Sequence, residues 1–159
     1  MIYSEIRYQP EKGGVFLGSP SIVRLPDGAL IASHDYFEGL YENRTPRIAE
    51  IYRSEDEGQS WQNIYHLSNA FWGTLFVSQN DLYFLCCECE YGAVVIRKST
   101  DGGYSWSLPR DRKSGRLFEA GPQMAMPNWH FGGATPLLHR HGRIYHACES
   151  FVPRNSEGW

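Results

Sequence analysis

The sequence predicts an all-β chain whose strands form successive four-stranded blades of a propeller, and three observations predict it. The octapeptide Ser54-Glu-Asp-Glu-Gly-Gln-Ser-Trp61 recurs as Ser99-Thr-Asp-Gly-Gly-Tyr-Ser-Trp106, with five fixed residues matching at an interval of 45 positions. That interval is typical of repeated four-stranded blades. Short apolar or alternating segments flank each copy and are separated by Gly-, Asp- and Asn-containing turns. Aromatic residues make up 14% of the chain, with five Trp and ten Tyr, as suits an all-β protein.

Each octapeptide carries the chemistry of a tight hairpin turn. Ser54 and Ser99 open the copies, and Asp56 and Asp101 can accept backbone N–H groups a residue or two ahead. Gly58 and Gly103 tolerate positive φ, and Trp61 and Trp106 are large enough to pack back on the sheet. These residues are expected to be structural.

Composition narrows the functional classes. At 159 residues the chain is long enough for one domain with a sizeable core. A net charge of −3 with no basic or acidic run gives no sign of a nucleic acid partner or an anionic membrane surface. No apolar stretch approaches the roughly 18 residues of a spanning helix. The first residues lack the basic-then-apolar plan of a signal peptide, so a cytoplasmic location is the default expectation. Cys86, Cys87 and Cys89 crowd one apolar strand and Cys148 stands apart, without paired C-x₂-C spacing. Buried reduced thiols are expected, with a Cys89–Cys148 contact between neighbouring blades as the alternative; no metal or cofactor is expected.

In chain order, Ile2–Tyr8 alternates and reads as a short strand, which in a closed ring would complete the last blade. A first blade spans about 18–67: strands at Ser21–Leu25, Ala29–Asp35, Arg47–Ser54 and Trp61–His66, with a polar loop from Glu38 to Pro46. A second, about 71–110, repeats the order with Thr74–Ser78, Leu82–Cys87, Ala93–Ser99 and the second octapeptide; Leu108–Met126 reads as outer loop. The start of a third, about 130–151, turns at Arg140-His141-Gly142. The whole of 1–159 is thus one partial domain, about two and a half blades. Propellers hide their strand edges by closing into rings of roughly four to eight blades, so the chain is expected to be part of a longer protein and inactive by itself.

Up-and-down topology places alternate turns of a blade on opposite faces. The octapeptides therefore share a face with Asp27-Gly28, Asn80-Asp81 and His141-Gly142. The other face receives Gly18-Ser19-Pro20, Trp72 with its neighbours, Trp129 and His130, and the second-strand ends with His34, Asp35, Glu88, Tyr91 and Glu149. Aromatic faces stack on sugar C–H surfaces, while carboxylates and imidazoles move protons. This face is therefore the candidate carbohydrate site. Each residue also has a plainer reading: His34 as a satisfied rim histidine, Asp35 as a loop cap, Trp72 and Trp129 as core plugs.

The octapeptide is identified as the Asp-box, or BNR repeat, and from about Gly18 to Glu149 the chain resembles the sialidase-like β-propeller superfamily. The resemblance implies a glycosidase with its pocket on the face opposite the Asp-boxes. Sialidases carry F/Y-R-I-P before the first strand; here Leu17-Gly18-Ser19-Pro20 keeps the Pro but lacks the Arg that clamps a substrate carboxylate. Asp35 is a rough positional match to the family's general acid. The stretch Gly18-Ser-Pro-Ser-Ile-Val, Pro26-Asp-Gly and Ala32-Ser-His-Asp-Tyr-Phe also looks like the first blade of propeller enzymes acting on uronic-acid polysaccharides. That likeness implies a catalytic role for His34, with Tyr91 as an alternative base and Arg97 as the cation near a uronate carboxylate. The expected activity is hydrolysis of glycosidic bonds in an acidic or deoxy-sugar glycan. The rivals are a sialidase proper, a uronate lyase, and a non-catalytic BNR propeller that binds glycan or protein. Oligomeric state is left open.

Overall fold

A computed structural model of the chain describes residues 3–10, 15–38, 48–89, 92–119, 129–133 and 135–151. Among these there is no helix, and the strands form two four-stranded antiparallel sheets and a third, two-part hairpin. This is a partial β-propeller.

The first sheet runs β1 (Val15–Arg24), β2 (Leu30–Glu38), β3 (Ile48–Ser54) and β4 (Gln62–Ser68), each paired with the next. The second repeats the order with β5 (Phe71–Ser78), β6 (Asp81–Cys87), β7 (Val94–Ser99) and β8 (Arg116–Phe118). In the third unit β9 (Trp129–Gly132) pairs with β12 (Cys148–Phe151), and β10 (Leu138–Arg140) with β11 (Arg143–Tyr145).

Two expectations differ from what is observed. Residues 3–10 form no strand; Ser4 bonds to the Gly58 carbonyl and receives the Trp61 indole N–H at 3.2 Å. The fourth strand of the second sheet, β8, lies inside the segment read as outer loop. Its three residues are too short to register as a periodic pattern. The predicted loop beyond Glu38, to Pro46, lies outside the described residues.

The two octapeptides fold alike, bond for bond. Ser54 Oγ donates to Asp56 Oδ1 at 2.7 Å, Ser60 N donates to the same oxygen at 2.9 Å, and Ser60 Oγ donates to Oδ2 at 2.6 Å. In the second copy Ser99 Oγ, Ser105 N and Ser105 Oγ meet Asp101 at 2.8, 2.9 and 2.6 Å. The aspartate therefore reaches four residues ahead, not one or two. Gly58 and Gly103 have φ of 82° and 105°. The indole N–H groups of Trp61 and Trp106 close the turns on the Gly58 and Gly103 carbonyls at 3.2 and 3.0 Å. The hydroxyl and N–H of Ser60, with the Ser54 hydroxyl, hold the Asp56 carboxyl at about 2. Asp101→Ala removes one acceptor from three donors and is expected to cost about 2 kcal/mol in urea unfolding, with Asp101→Asn recovering most of it. A cost below about 0.5 kcal/mol for the alanine variant would contradict a structural role.

Both turns lie on one face of the arc. Arg53 reaches from β3 to Asp27 at 2.8 Å and to the Gly102 carbonyl of the second octapeptide at 3.3 Å, with its guanidinium 5.9 Å from the Tyr104 ring centre. Arg24 clamps Glu57 through two bonds of 2.7 Å, and Lys98 meets Asp81 at 2.6 Å, so the β1–β2 and β5–β6 turns share that face.

The core is the seam between sheets. Ile31, Ala49, Ile51 and Leu67 of the first sheet pack on Leu75, Leu82, Phe84, Cys86 and Val95 of the second. Strand alternation sends the next residues of the second sheet the other way, so Phe76, Leu85, Cys87 and Val94 pack toward Leu137 of the third unit. Among the described residues no disulfide forms; burial pushes the Cys86 and Cys87 thiols up to about 12 and about 11.

Candidate functional site

On the face opposite the octapeptides, a register shift in β1 lies between Gly18 and Ser21, and one in β5 lies between Phe71 and Thr74. Ser19 and Trp72 sit in these bulges with φ of 50° each. Left-handed backbone at a bulky Trp is held by its surroundings, and here the holder is Asp35. Its Oδ2 accepts the Trp72 backbone N–H at 2.6 Å. The carboxyl is 1% exposed and pushed up to about 7 by burial, against the pull of the Trp72 N–H, the Ser19 hydroxyl and the Gly73 N–H. Oδ1 has no hydrogen-bond partner among the described residues.

The second sheet has the same device with a different atom. Cys87 pairs with Phe71 before the β5 shift as Asp35 pairs with Gly18 before the β1 shift. Its Sγ accepts the Gly132 N–H at 3.4 Å and donates to the His130 carbonyl at 3.7 Å. Each second strand thus ends on a side chain that fastens the first strand of the next unit. Cys87 makes this contact with the third unit.

The Trp72 ring stacks on Phe71 at 5.3 Å and 13°, with Phe37 5.0 Å from Phe71 and 6.4 Å from Trp72. Three aromatic rings therefore gather at this rim beside Asp35. His130 is 9% exposed and lies 5.2 Å from the Phe118 ring.

His34 points the other way. Adjacent strand residues face opposite sides of a sheet, so Asp35 faces the second sheet while His34 faces away from it. The two do not share a pocket through their side chains. His34 Nε2 lies 3.1 Å from the Tyr52 hydroxyl, with the rings stacked at 5.4 Å, and the Tyr36 ring stands edge-on at 5.1 Å. Across the strands, His34 pairs with Glu50 and Glu50 with His66, while Tyr52 pairs with Asn63. Glu50, 6% exposed, accepts Asn63 Nδ2 at 2.8 Å and meets His66 Nδ1 at 2.7 Å. Burial lowers the His34 pKa, opposed by its bond to the Asp35 carbonyl and by the Glu50 charge; Arg7 lowers it further. Burial raises the Tyr52 pKa.

The other residues read from the sequence are placed as follows. Arg97 is 4% exposed and donates through Nη2 to the carbonyls of Ser68 and Asn69 at 3.2 and 3.0 Å, so it fastens the β4–β5 turn inside the seam. Glu88 is bound by Arg116 at 2.7 Å. Glu149 is exposed on β12 opposite Phe131. Trp129 lies on β9 opposite Phe151, and its side chain lies outside the described residues, as does all of Tyr91. Tyr52, Asn63, Glu50 and His66 did not emerge from the sequence. The signal that could have found Tyr52 and Glu50 is their period-two placement on β3, the strand facing His34. Among the described residues no group of three or more His, Cys, Asp or Glu side chains could hold a metal.

No family model and no curated protein matches the chain. Solved structures do. One is the GH93 α-L-arabinofuranosidase of Fusarium graminearum in complex with arabinobiose, with 15% identity over 80% of this chain and 39% of that chain, at a TM-score of 0.52. Another is an α-L-arabinofuranosidase of Fusarium graminearum, Arb93A, in complex with an iminosugar inhibitor, with 15% identity over 89% and 42% and a TM-score of 0.50. The chain spans about two fifths of the length of these structures. The shared property is the fold, an all-β propeller of the kind these glycosidases use.

Proposed function

We propose that the chain is part of a carbohydrate-cleaving propeller, a glycoside hydrolase whose sugar lies on the face opposite the two Asp-boxes. The observation that carries this reading is the aromatic group of Phe37, Phe71 and Trp72, fastened to the buried Asp35 through the Trp72 N–H. Phe71 is buried beneath Trp72 and Phe37, whose partly exposed rings suit the C–H face of a sugar. The neighbours crystallised with arabinobiose or an iminosugar support a glycan ligand without fixing the sugar. A sialidase-like ancestry, supported by the duplicated Asp-box network, and an acidic or deoxy sugar, which that network does not address, are the finer form of the proposal. A sialidase proper is disfavoured. A Cβ on Gly18 would lie 2.5 Å from Phe37 Cε2, so a clamping arginine has no room there.

The arc by itself is expected to bind without turnover, so the test is binding. Titration with arabinobiose, read by tryptophan fluorescence and calorimetry, should show saturable binding that Trp72→Ala weakens at least about tenfold, as loss of one stacking contact implies. Absence of binding to arabinobiose, oligouronates and sialyl-oligosaccharides alike would sink the reading and leave a non-sugar BNR module.

A uronate lyase is the second reading, favoured by the His34–Tyr52 pair with Arg7 close enough to influence both. An unsaturated uronate product from the complete ring would decide for it.

A further inference from the structure

We propose that Tyr52, Asn63 and Glu50 form a positioning set that fixes His34 in one tautomer, protonated at Nδ1, with its basic Nε2 committed to the Tyr52 hydroxyl. The inference rests on the second reading above, in which His34 is the proton-handling group of a uronate lyase.

The Asp35 carbonyl can only accept a hydrogen bond, and it lies 3.4 Å from His34 Nδ1, so Nδ1 is the protonated nitrogen. The Asn63 amide nitrogen donates to Glu50 Oε2 at 2.8 Å. That fixes which way the amide points. An amide nitrogen carries two hydrogens, and because Asn63 pairs directly with Tyr52 across the strands, the other one is assigned to the Tyr52 oxygen. With Nδ1 carrying the proton, Nε2 is the acceptor of the 3.1 Å bond and the Tyr52 hydroxyl its donor, which leaves the Tyr52 oxygen to accept from Asn63.

The backbone makes this possible through a bulge. Tyr52 pairs with Asn63 but Ile51 pairs with Tyr65, an irregularity that places Asn63 and His66, three apart on β4, beside Tyr52 and Glu50, two apart on β3. The groups facing His34 are Tyr36 on its own strand, Tyr52 and Glu50 on β3, and Arg7 of the segment 3–10; His66 on β4 lies behind Glu50.

The test is nitrogen-15 NMR of the histidine side chains in the full chain, with His34 assigned by the signals lost in His34→Gln. The wild type should show His34 protonated at Nδ1, with Nε2 an unprotonated acceptor. Tyr52→Phe keeps the stacked ring and removes the donor; Asn63→Leu removes the group that sets its direction. Each should allow the Nε2-protonated form to appear, and Glu50→Gln should shift the His34 titration to lower pH. An Nε2-protonated His34 in the wild type overturns the proposal, and so does an unchanged tautomer in both Tyr52→Phe and Asn63→Leu. Should a variant fail to fold by near-ultraviolet circular dichroism, the wild-type spectrum still decides. Failure of all sugar binding alters none of these spectra, so it sinks the proposed function alone.

Discussion

Gly73→Ala is expected to destabilise the chain by about 3 kcal/mol or more, at the upper end of the overpacking range. A Cβ at position 73 would lie 1.9 Å from Phe84 Cζ and 2.3 Å from Cε1. Phe84 is fully buried in the seam between the first two sheets and has nowhere to retreat. The close approach exists because the β5 bulge brings bare backbone against a ring that strand β6 presents edge-on to Trp106 at 6.2 Å. Phe84→Ala alone should cost about 3–5 kcal/mol through the cavity it leaves. The pair is the informative experiment. Gly73→Ala with Phe84→Ala should be less destabilised than the sum of the two single variants by more than about 1 kcal/mol, because the smaller side chain vacates the space the new methyl needs. Additive losses in urea unfolding would show that the glycine is not there for the ring.

Asp35 should give the chain an unusual pH dependence. Its folded pKa of about 7 stands above the 3.8 of an ordinary aspartate, so between these values the folded state holds a proton that the unfolded state has lost. The stability linked to this group is fully present below about pH 4, falls as the pH rises, and is gone above about pH 7. At about 1.4 kcal/mol per unit, the difference reaches up to about 4 kcal/mol. Asp35→Asn keeps an oxygen for the Trp72 N–H and removes the buried charge. Denaturant unfolding should therefore find the variant more stable than wild type at pH 8.5 and no better at pH 4.5. Parallel stability curves for the two proteins across that range would refute the assignment.

Much of the fold was legible because the signals were local. Ser54, Asp56, Gly58 and Trp61 satisfy one another within eight residues, and so do Ser99, Asp101, Gly103 and Trp106, so a repeat in the sequence becomes a repeat in space. The opposition of faces followed from strand counting alone. The candidate site was legible only in part. Period two already separates His34 from Asp35, but it says nothing about what each one meets. The partners of Asp35 come from the bulge at Trp72, and the network around His34 comes from the bulge at Ile64–Tyr65. An extra residue in a strand reverses the facing of everything beyond it, and no propensity marks where one will fall. Arg97 shows the same limit, since a cation on a strand could line a pocket or, as it does, fasten two carbonyls inside a seam.

The sequence by itself determined the repeated turns, the all-β class and which loops share a face, since these depend on contacts within a few residues and on alternation. The tertiary structure alone decided that Asp35 is a buried, half-satisfied acid, that Tyr52 faces His34, and that Cys87 stands in the second sheet where Asp35 stands in the first. Those outcomes depend on how strands register within a sheet, as for His34 and Tyr52, and on how neighbouring sheets meet, as for Asp35 and Cys87. Desolvation and hydrogen-bond partnership belong to that meeting rather than to any residue alone.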